Sequence, residues 1–348
     1  MFKNLDGECF GIVGRQNEVI EFALSNGYAS ISVNFSDLVS RAGASGVDFA
    51  TRYLVSAKKL NVGEGEFTLR LGGSEEEFNA DMESLNTVFE IVDAMRNVEG
   101  ANENRVERVT VYIQPYSDTL AYHENFELHR TRITTVAEKL AEKGLKLGLG
   151  IQAAASKRAE KEYEFIYNAE GMVTLANAIT ASNVGIHLNT WDWLVGEGAL
   201  DQLSDLSVDK IIAVTLTDIP DGADLATLEN TERLMPKSGD FSFNVKVCNW
   251  LNEIGYTGPI TPGPSSSQFS GSSRDAVIHK ASNAIDSILV EVGAIEPAVP
   301  EIAEEPAAEE AGENAEATEA AEAKEGEAKE TKATEEKTAE ASTDGAAS

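Results

Sequence analysis

Cysteine is scarce in this chain: Cys9 and Cys248 are the two thiols in 348 residues. Two thiols make neither a metal-binding spacing nor a disulfide framework, so a reduced, cytoplasmic setting is the expectation. Positive charge is also short, with 28 Lys and Arg against 59 Asp and Glu and a formal net charge of −31. Proteins that grip nucleic acid carry a basic patch or stripe, so no nucleic-acid partner is expected. An anionic membrane surface is disfavoured on the same ground. No apolar run approaches the roughly 18 residues of a membrane span. The opening residues, M-F-K-N-L-D-G-E, lack the apolar centre of a signal peptide. A Gly-rich phosphate fingerprint and a Ser–His–Asp arrangement are missing as well.

Acidity, by contrast, is abundant and uneven. From Glu296 to Ser348 there are 17 acidic and 4 basic residues, a net of −13, which leaves −18 for residues 1–295. Beyond Gly293 Ala, Glu, Lys, Thr and Pro dominate and no aromatic residue occurs. Such a segment buries too little apolar area to offset its ordering entropy. Residues 1–293 therefore read as one folded domain, and 294–348 as a disordered acidic tail. That tail either solubilises the chain or recruits basic partners to a non-catalytic scaffold.

Within the folded part, short strand-like runs alternate with helical ones. The strands read as Phe10–Val13, Ala29–Phe35, Phe67–Leu71, Arg108–Pro115, Lys146–Gln152, Asn183–Asn189, Lys210–Asp218 and Pro259–Pro264. A helical pattern follows each one. Ser74 with Glu77 three residues on is a capping box, opening a helix to about Asn97. Eight strand–helix units are the arithmetic of a (β/α)8 TIM barrel, class α/β, whose ligands bind at the carboxyl ends of the strands.

Side chains alternate between the faces of a strand. In N-V-G-I-H-L-N-T-W-D-W, starting at Asn183, the apolar face is Val184, Ile186 and Leu188, and the inward face is Gly185, His187 and Asn189. The same reading puts Ser30, Ser32, Asn34, Thr68, Arg70, Tyr112, Gln114, Gln152, Thr215 and Thr217 inside. Barrel interiors usually hold bulky branched side chains, so this polar set predicts either an internal network with trapped water or a polar ligand. An inward Arg70 needs an anion, which a ligand or a carboxylate behind the strand supplies.

The order of these pieces resembles the xylose-isomerase-like TIM barrels, a superfamily of sugar and sugar-phosphate isomerases and epimerases, inosose dehydratases and endonuclease IV. The likeness spans about Phe2 to Val292. It is carried by G-R-Q-N-E-V-I-E-F-A, the strand-six stretch, V-T-L-T-D, R-L-M-P-K-S-G-D-F and G-Y-T-G-P-I-T-P-G-P, in that order. The resemblance implies a divalent metal held by Glu, Asp, His and Glu at the ends of strands five to eight. Gln152, Asn189, Thr215 and Gly263 stand there in this chain, and Asp192 stands where the family has a further His. Hard cations need carboxylate oxygens, and without the ion a sugar carbonyl has no Lewis acid. The implied protein keeps the pocket for a carbohydrate-like molecule, needs no cofactor, and has lost metal-dependent isomerisation, as a pseudoenzyme or a metal-independent enzyme. The alternative is an active isomerase or epimerase whose Mn, Mg or Zn is held by other side chains such as Asp192, Asp218, His187 or His123.

Further candidates follow from position. Trp191 and Trp193 either stack on a sugar ring or pack the rim. His123 and Glu124 form an acid/base pair or a polar helix start. Asp218 is a ligand contact or a cap, and His187 a satisfied interior imidazole or a catalyst. His129 and His279 read as helix-surface residues. Arg233 and Asp240 sit in a loop able to clamp an anion. The ligand set is thus Arg70, Gln114, Gln152, Asn189, Trp191, Asp192, Thr215 and Arg233. A homodimer is compatible with all of this.

Overall fold

The computed structural model describes residues 1–102, 105–204, 206–240 and 242–297. Eight parallel strands close into a barrel: β1 (Phe2–Leu5), β2 (Ser30–Asn34), β3 (Asn61–Glu66), β4 (Arg108–Tyr112), β5 (Lys146–Gly150), β6 (Val184–Asn189), β7 (Ile211–Leu216) and β8 (Pro259–Pro262). Each strand pairs with its neighbours in sequence, and β8 closes on β1 through Phe2 and Pro259. The fold is the expected (β/α)8 barrel. A separate two-stranded ribbon, Tyr116–Ser117 against Tyr163–Glu164, stands beside it.

Ten helices are described: α1 (Gln16–Ser25), α2 (Phe35–Ser45), α3 (Val47–Ser56), α4 (Glu75–Arg96), α5 (Tyr122–Ala141), α6 (Ala169–Ala178), α7 (Thr190–Val195), α8 (Leu200–Ser204), α9 (Phe243–Glu253) and α10 (Arg274–Glu291). Their apolar stripes cover the outward face of the strands, and the core lies between the two layers. Ser74 and Glu77 form the reciprocal capping box of α4, which satisfies two of its orphan amides. None of the helices is long and apolar enough to cross a membrane among the described residues.

Two strands lie elsewhere than the sequence pattern places them. The first is Phe2–Leu5; Phe10 ends a single 3-10 turn, Glu8–Phe10, that follows it. The third is Asn61–Glu66, whereas Phe67–Leu71 continues past the ladder with Phe67, Leu69 and Leu71 buried and Thr68 and Arg70 exposed. The alternation there is real, but after Phe67, whose amide still donates to Thr110 O of β4 at 2.9 Å, the segment is outside the strand ladder. Residues 36–45, expected as loop, belong to α2, which Asn34 caps by accepting from the Asp37 amide at 2.9 Å.

Pairing skips a residue twice. Between β2 and β3, Ile31 faces Val62 and Ser32 faces Glu64, so Gly63 is the extra residue. A Cβ on Gly63 would stand 2.3 Å from Asn4 Oδ1, which makes glycine obligatory at that bulge. Between β6 and β7, Ile186 faces Ile211 and His187 faces Ala213. Ile212 consequently turns to the interior and packs over Gly148. Ala294 and Ile295, assigned to the tail by composition, pack against the core. The remainder of the expected tail, from residue 298, lies outside the described residues.

Candidate functional site

The polar interior begins as a network low in the barrel. Asn4 of β1 donates to Ser32 at 2.8 Å and Thr261 at 3.0 Å, and accepts from Ser30 at 2.8 Å. Above it, Glu64 Oε1 accepts from Ser32 at 3.3 Å and Thr261 at 3.4 Å. Its other oxygen, Oε2, lies 3.5 Å from His187 Nε2. His187 Nε2 also stands 2.9 Å from Thr215 Oγ1. Nε2 is engaged by Thr215, while Glu64 Oε2 stays beyond a good hydrogen bond from it. The Tyr112 ring packs 5.6 Å from the imidazole, over Gly150, where a Cβ would meet it at 2.7 Å. Burial pushes the Tyr112 hydroxyl well above its usual range.

Over this floor opens a cavity of about 900 Å³ at the carboxyl ends of the strands. It takes in Gln114, Gln152, Asn189, Asp192, Thr215, Arg233 and Gly263 together with His187. The four positions matched to metal ligands are therefore brought together, and each is otherwise engaged. Asn189 Oδ1 caps α7, accepting from the amides of Trp191 at 3.0 Å and Asp192 at 3.4 Å. Gln152 Nε2 donates to Ile113 O at 3.5 Å, and Thr215 holds His187. At Gly263 a Cβ would stand 2.3 Å from Thr215 Cγ2 and 2.8 Å from Thr217 Oγ1, so the position is closed to a side chain. Among the described residues no three His, Cys, Asp or Glu side chains are placed to share a metal ion. These residues do not fit a divalent metal: one amide is spent as a cap, one position has no side chain, and no charge offsets dehydration.

Asp192 is buried and bound at both ends. Its Oδ1 accepts from the Ala153 amide at 3.0 Å, and its Oδ2 pairs with Arg233 at 2.6 Å. Burial raises its carboxyl above the ordinary range, and the guanidinium pulls the other way. Arg233 also lies over the Trp191 ring at 4.7 Å. Trp191 itself is completely buried and does not line the cavity, so it offers no face to a sugar. The short helix α7 turns it inward. Trp193 is likewise buried, its indole nitrogen donating to Ala199 O at 3.1 Å.

Other predicted residues fall outside the interior. Arg70 lies on the rim, four residues beyond β3, and its anion is Asp81 of α4 at 2.5 Å, with Glu77 at 3.6 Å. The carboxylate behind the strand is thus the partner. His123 and Glu124 are exposed on the first turn of α5 and do not border the cavity. Asp218 is tied by its backbone to Leu234 and stands clear of the cavity lining; partial burial raises its carboxyl. Asp240 is exposed. His129, expected on a helix surface, is buried against Phe165 at 4.6 Å, and that burial pushes it down to about 4.

Sequence reasoning missed the carboxylates on the β1–β3 side. Asp6, Glu8, Glu64 and Glu66 all line the cavity. Partial burial, with Glu8 and Glu64 nearby, pushes Asp6 up to about 6; desolvation at the cavity wall, with Asp6, Glu8 and Glu64 nearby, pushes Glu66 up to about 7 although its side chain is open to the cavity. Asp6 also accepts from the Glu8 amide at 2.9 Å and from Cys9 Sγ at 3.3 Å. The signal was present as G-E-G-E, but glycine and glutamate are depleted in strands and masked the element.

The class is now defined: a (β/α)8 barrel with a hydroxyl- and amide-rich chamber at its carboxyl-terminal mouth. No protein-family model and no curated protein matches the sequence. Solved structures do. A xylose isomerase domain protein from Alicyclobacillus acidocaldarius superposes with TM-score 0.70 at 19% identity, over 84% of this chain and 99% of that one. The IOLI protein with a bound zinc atom gives 0.63 at 14%, over 84% and 98%. A D-tagatose 3-epimerase-like protein gives 0.59 at 16%, over 84% and 99%. The chain has the xylose isomerase-like TIM-barrel fold.

Proposed function

We propose that the mouth of this barrel binds a small carbohydrate-type molecule without a divalent metal, and that metal-dependent isomerisation has been lost. The observation that carries the reading is the donor set: Gln152, Asn189, Thr215 and Gly263 stand where the resemblance puts three carboxylates and an imidazole, and none of them is charged. Amides and hydroxyls suit a polyol, since each accepts or donates without the dehydration penalty of an ion. The IOLI structure holds zinc; the four positions here offer such an ion no charged donor.

Titration calorimetry of the full chain with Mn²⁺, Mg²⁺, Co²⁺ and Zn²⁺, and with a panel of aldoses, ketoses and inositols, tests the reading. Sugar binding unaffected by chelator is the expected result. Micromolar metal binding that Gln152→Ala or Asn189→Ala weakens would overturn it.

One observation favours a metal-independent enzyme over a pure binder. Glu66 lines the cavity with its side chain open to it, and its carboxyl, raised to about 7, is suited to exchange a proton with a bound substrate. Solvent deuterium entering a ketose or aldose in the presence of EDTA, and ceasing in E66Q, supports catalysis; no exchange leaves the barrel a pseudoenzyme.

A further inference from the structure

The charges around the cavity are unbalanced in a way that describes part of its ligand. Its positive side chains are largely spent within the protein: Arg233 on Asp192 at 2.6 Å, Arg70 on Asp81 at 2.5 Å, Arg15 on Glu18 at 3.1 Å and Lys161 on Asp118 at 3.4 Å. Lys157 is the lining cation left without a carboxylate partner among the described residues. The negative side chains are not spent. Asp6, Glu8 and Glu66 form no ion pair among the described residues, and Glu64 meets the His187 ring alone, at 3.5 Å.

A second observation is independent of the carboxylate count. Glu64 Oε2 and His187 Nδ1 are buried atoms with no hydrogen-bond partner in the protein. Their residues are 5% and 6% exposed, and both side chains line the cavity. A buried acceptor without a donor costs free energy, and a carboxylate oxygen more than most. The carboxylate oxygen calls for a hydrogen-bond donor and the ring nitrogen for a polar partner, and the protein supplies neither.

We propose that the ligand is a polyhydroxylated amine of the amino-sugar class, its ammonium group seated among Asp6, Glu64 and Glu66. This rests on the mouth being the carbohydrate site, and it adds the charge of the occupant. An ammonium group brings three donors and no acceptor, complementary to a wall of carboxylates that lack a cationic partner and to the unpartnered Glu64 Oε2. Its charge also offsets the desolvation, and the lesser repulsion among neighbouring carboxylates, that hold Asp6 and Glu66 high. The hydroxyls of the same molecule reach the neutral side, Gln152 and Thr215. A sugar phosphate fits poorly, because it would meet four carboxylates and no unpaired arginine.

The test is calorimetry on the full chain near pH 7, with D-glucose against D-glucosamine and D-galactose against D-galactosamine, and N-acetyl-D-glucosamine as the uncharged control. Amines binding about tenfold or more tighter than their neutral partners, with the advantage shrinking in high salt, is the expected result. In E66Q and in Asp6→Asn, both cavity-facing, that advantage should fall to about twofold, while unchanged circular dichroism reports an intact fold. Neutral sugars binding as well as amines would overturn this inference and leave the carbohydrate reading standing. No binding of either kind would overturn both. Mn²⁺ or Mg²⁺ displacing the amine at micromolar concentration would assign the carboxylates to a metal and overturn the proposal.

Discussion

Glu66 shows what an unpaired carboxylate does to its own fold. Its ordinary value is 4.5 and the folded protein raises it to about 7. Between those values the folded state holds the proton more tightly than the unfolded chain. The group's contribution is therefore neutral at low pH, turns unfavourable as pH rises through this window, and is fully unfavourable above about 7. Thermal melts of E66Q should show a midpoint higher than wild type by about 1–3 °C at pH 8 and equal at pH 4. The gain stays small because the side chain faces cavity solvent, which screens its neighbours. An equal shift at both pH values would mean that packing, not charge, explains it. None of this was legible in the sequence: a carboxylate's environment depends on which strands close beside it. By contrast, His187, Asn189, Thr215 and Gln152 were placed inside by alternation alone, and the structure has them there.

At the scale of elements, strands with a clear alternation of side chains were readable, and short or Gly/Glu-rich ones were not. Val184–Asn189 and Arg108–Tyr112 declare themselves by alternation. Asn61–Glu66 carries two glycines and two glutamates and is a strand because its neighbours pair with it. Phe67–Leu71 imitates a strand because its side chains alternate between the core and solvent while its backbone has left the sheet. Phe10–Val13 misled for a simpler reason, since apolar residues in a turn can be as buried as those in a strand. The step from β8 into its loop offers a direct test. Gly263→Ala places a methyl against Thr215 and Thr217, and should cost about 1–3 kcal/mol by overpacking. Thr215→Ser deletes the closer methyl, so the double variant should recover part of that loss in urea melts. A Gly263→Ala protein as stable as wild type would contradict the close approach.

At the scale of the molecule, charge and fold pull in different directions. Residues 1–295 carry a net of −18, and self-repulsion of that size destabilises a compact state. Salt screens it over about 8–10 Å near 0.1–0.15 M. The unfolding midpoint should rise by a few degrees between about 20 mM and 300 mM NaCl, as read by differential scanning calorimetry. A fall would show that ion pairs such as Lys3–Asp286 and Arg274–Glu18 outweigh the repulsion. Overall architecture was the most legible property, because eight repeats of one pattern average out local errors. Charge balance inside the mouth was the least legible, because it depends on which loop folds over which strand.

The contact between Gly263 and the two threonines bears on anyone wishing to engineer metal chemistry into this barrel. Writing one glutamate into position 263 cannot succeed alone, for the room it needs is already taken from the neighbouring strand. At least two codons must change together, so laboratory selection that moves one substitution at a time would discard the first step before the second could reward it.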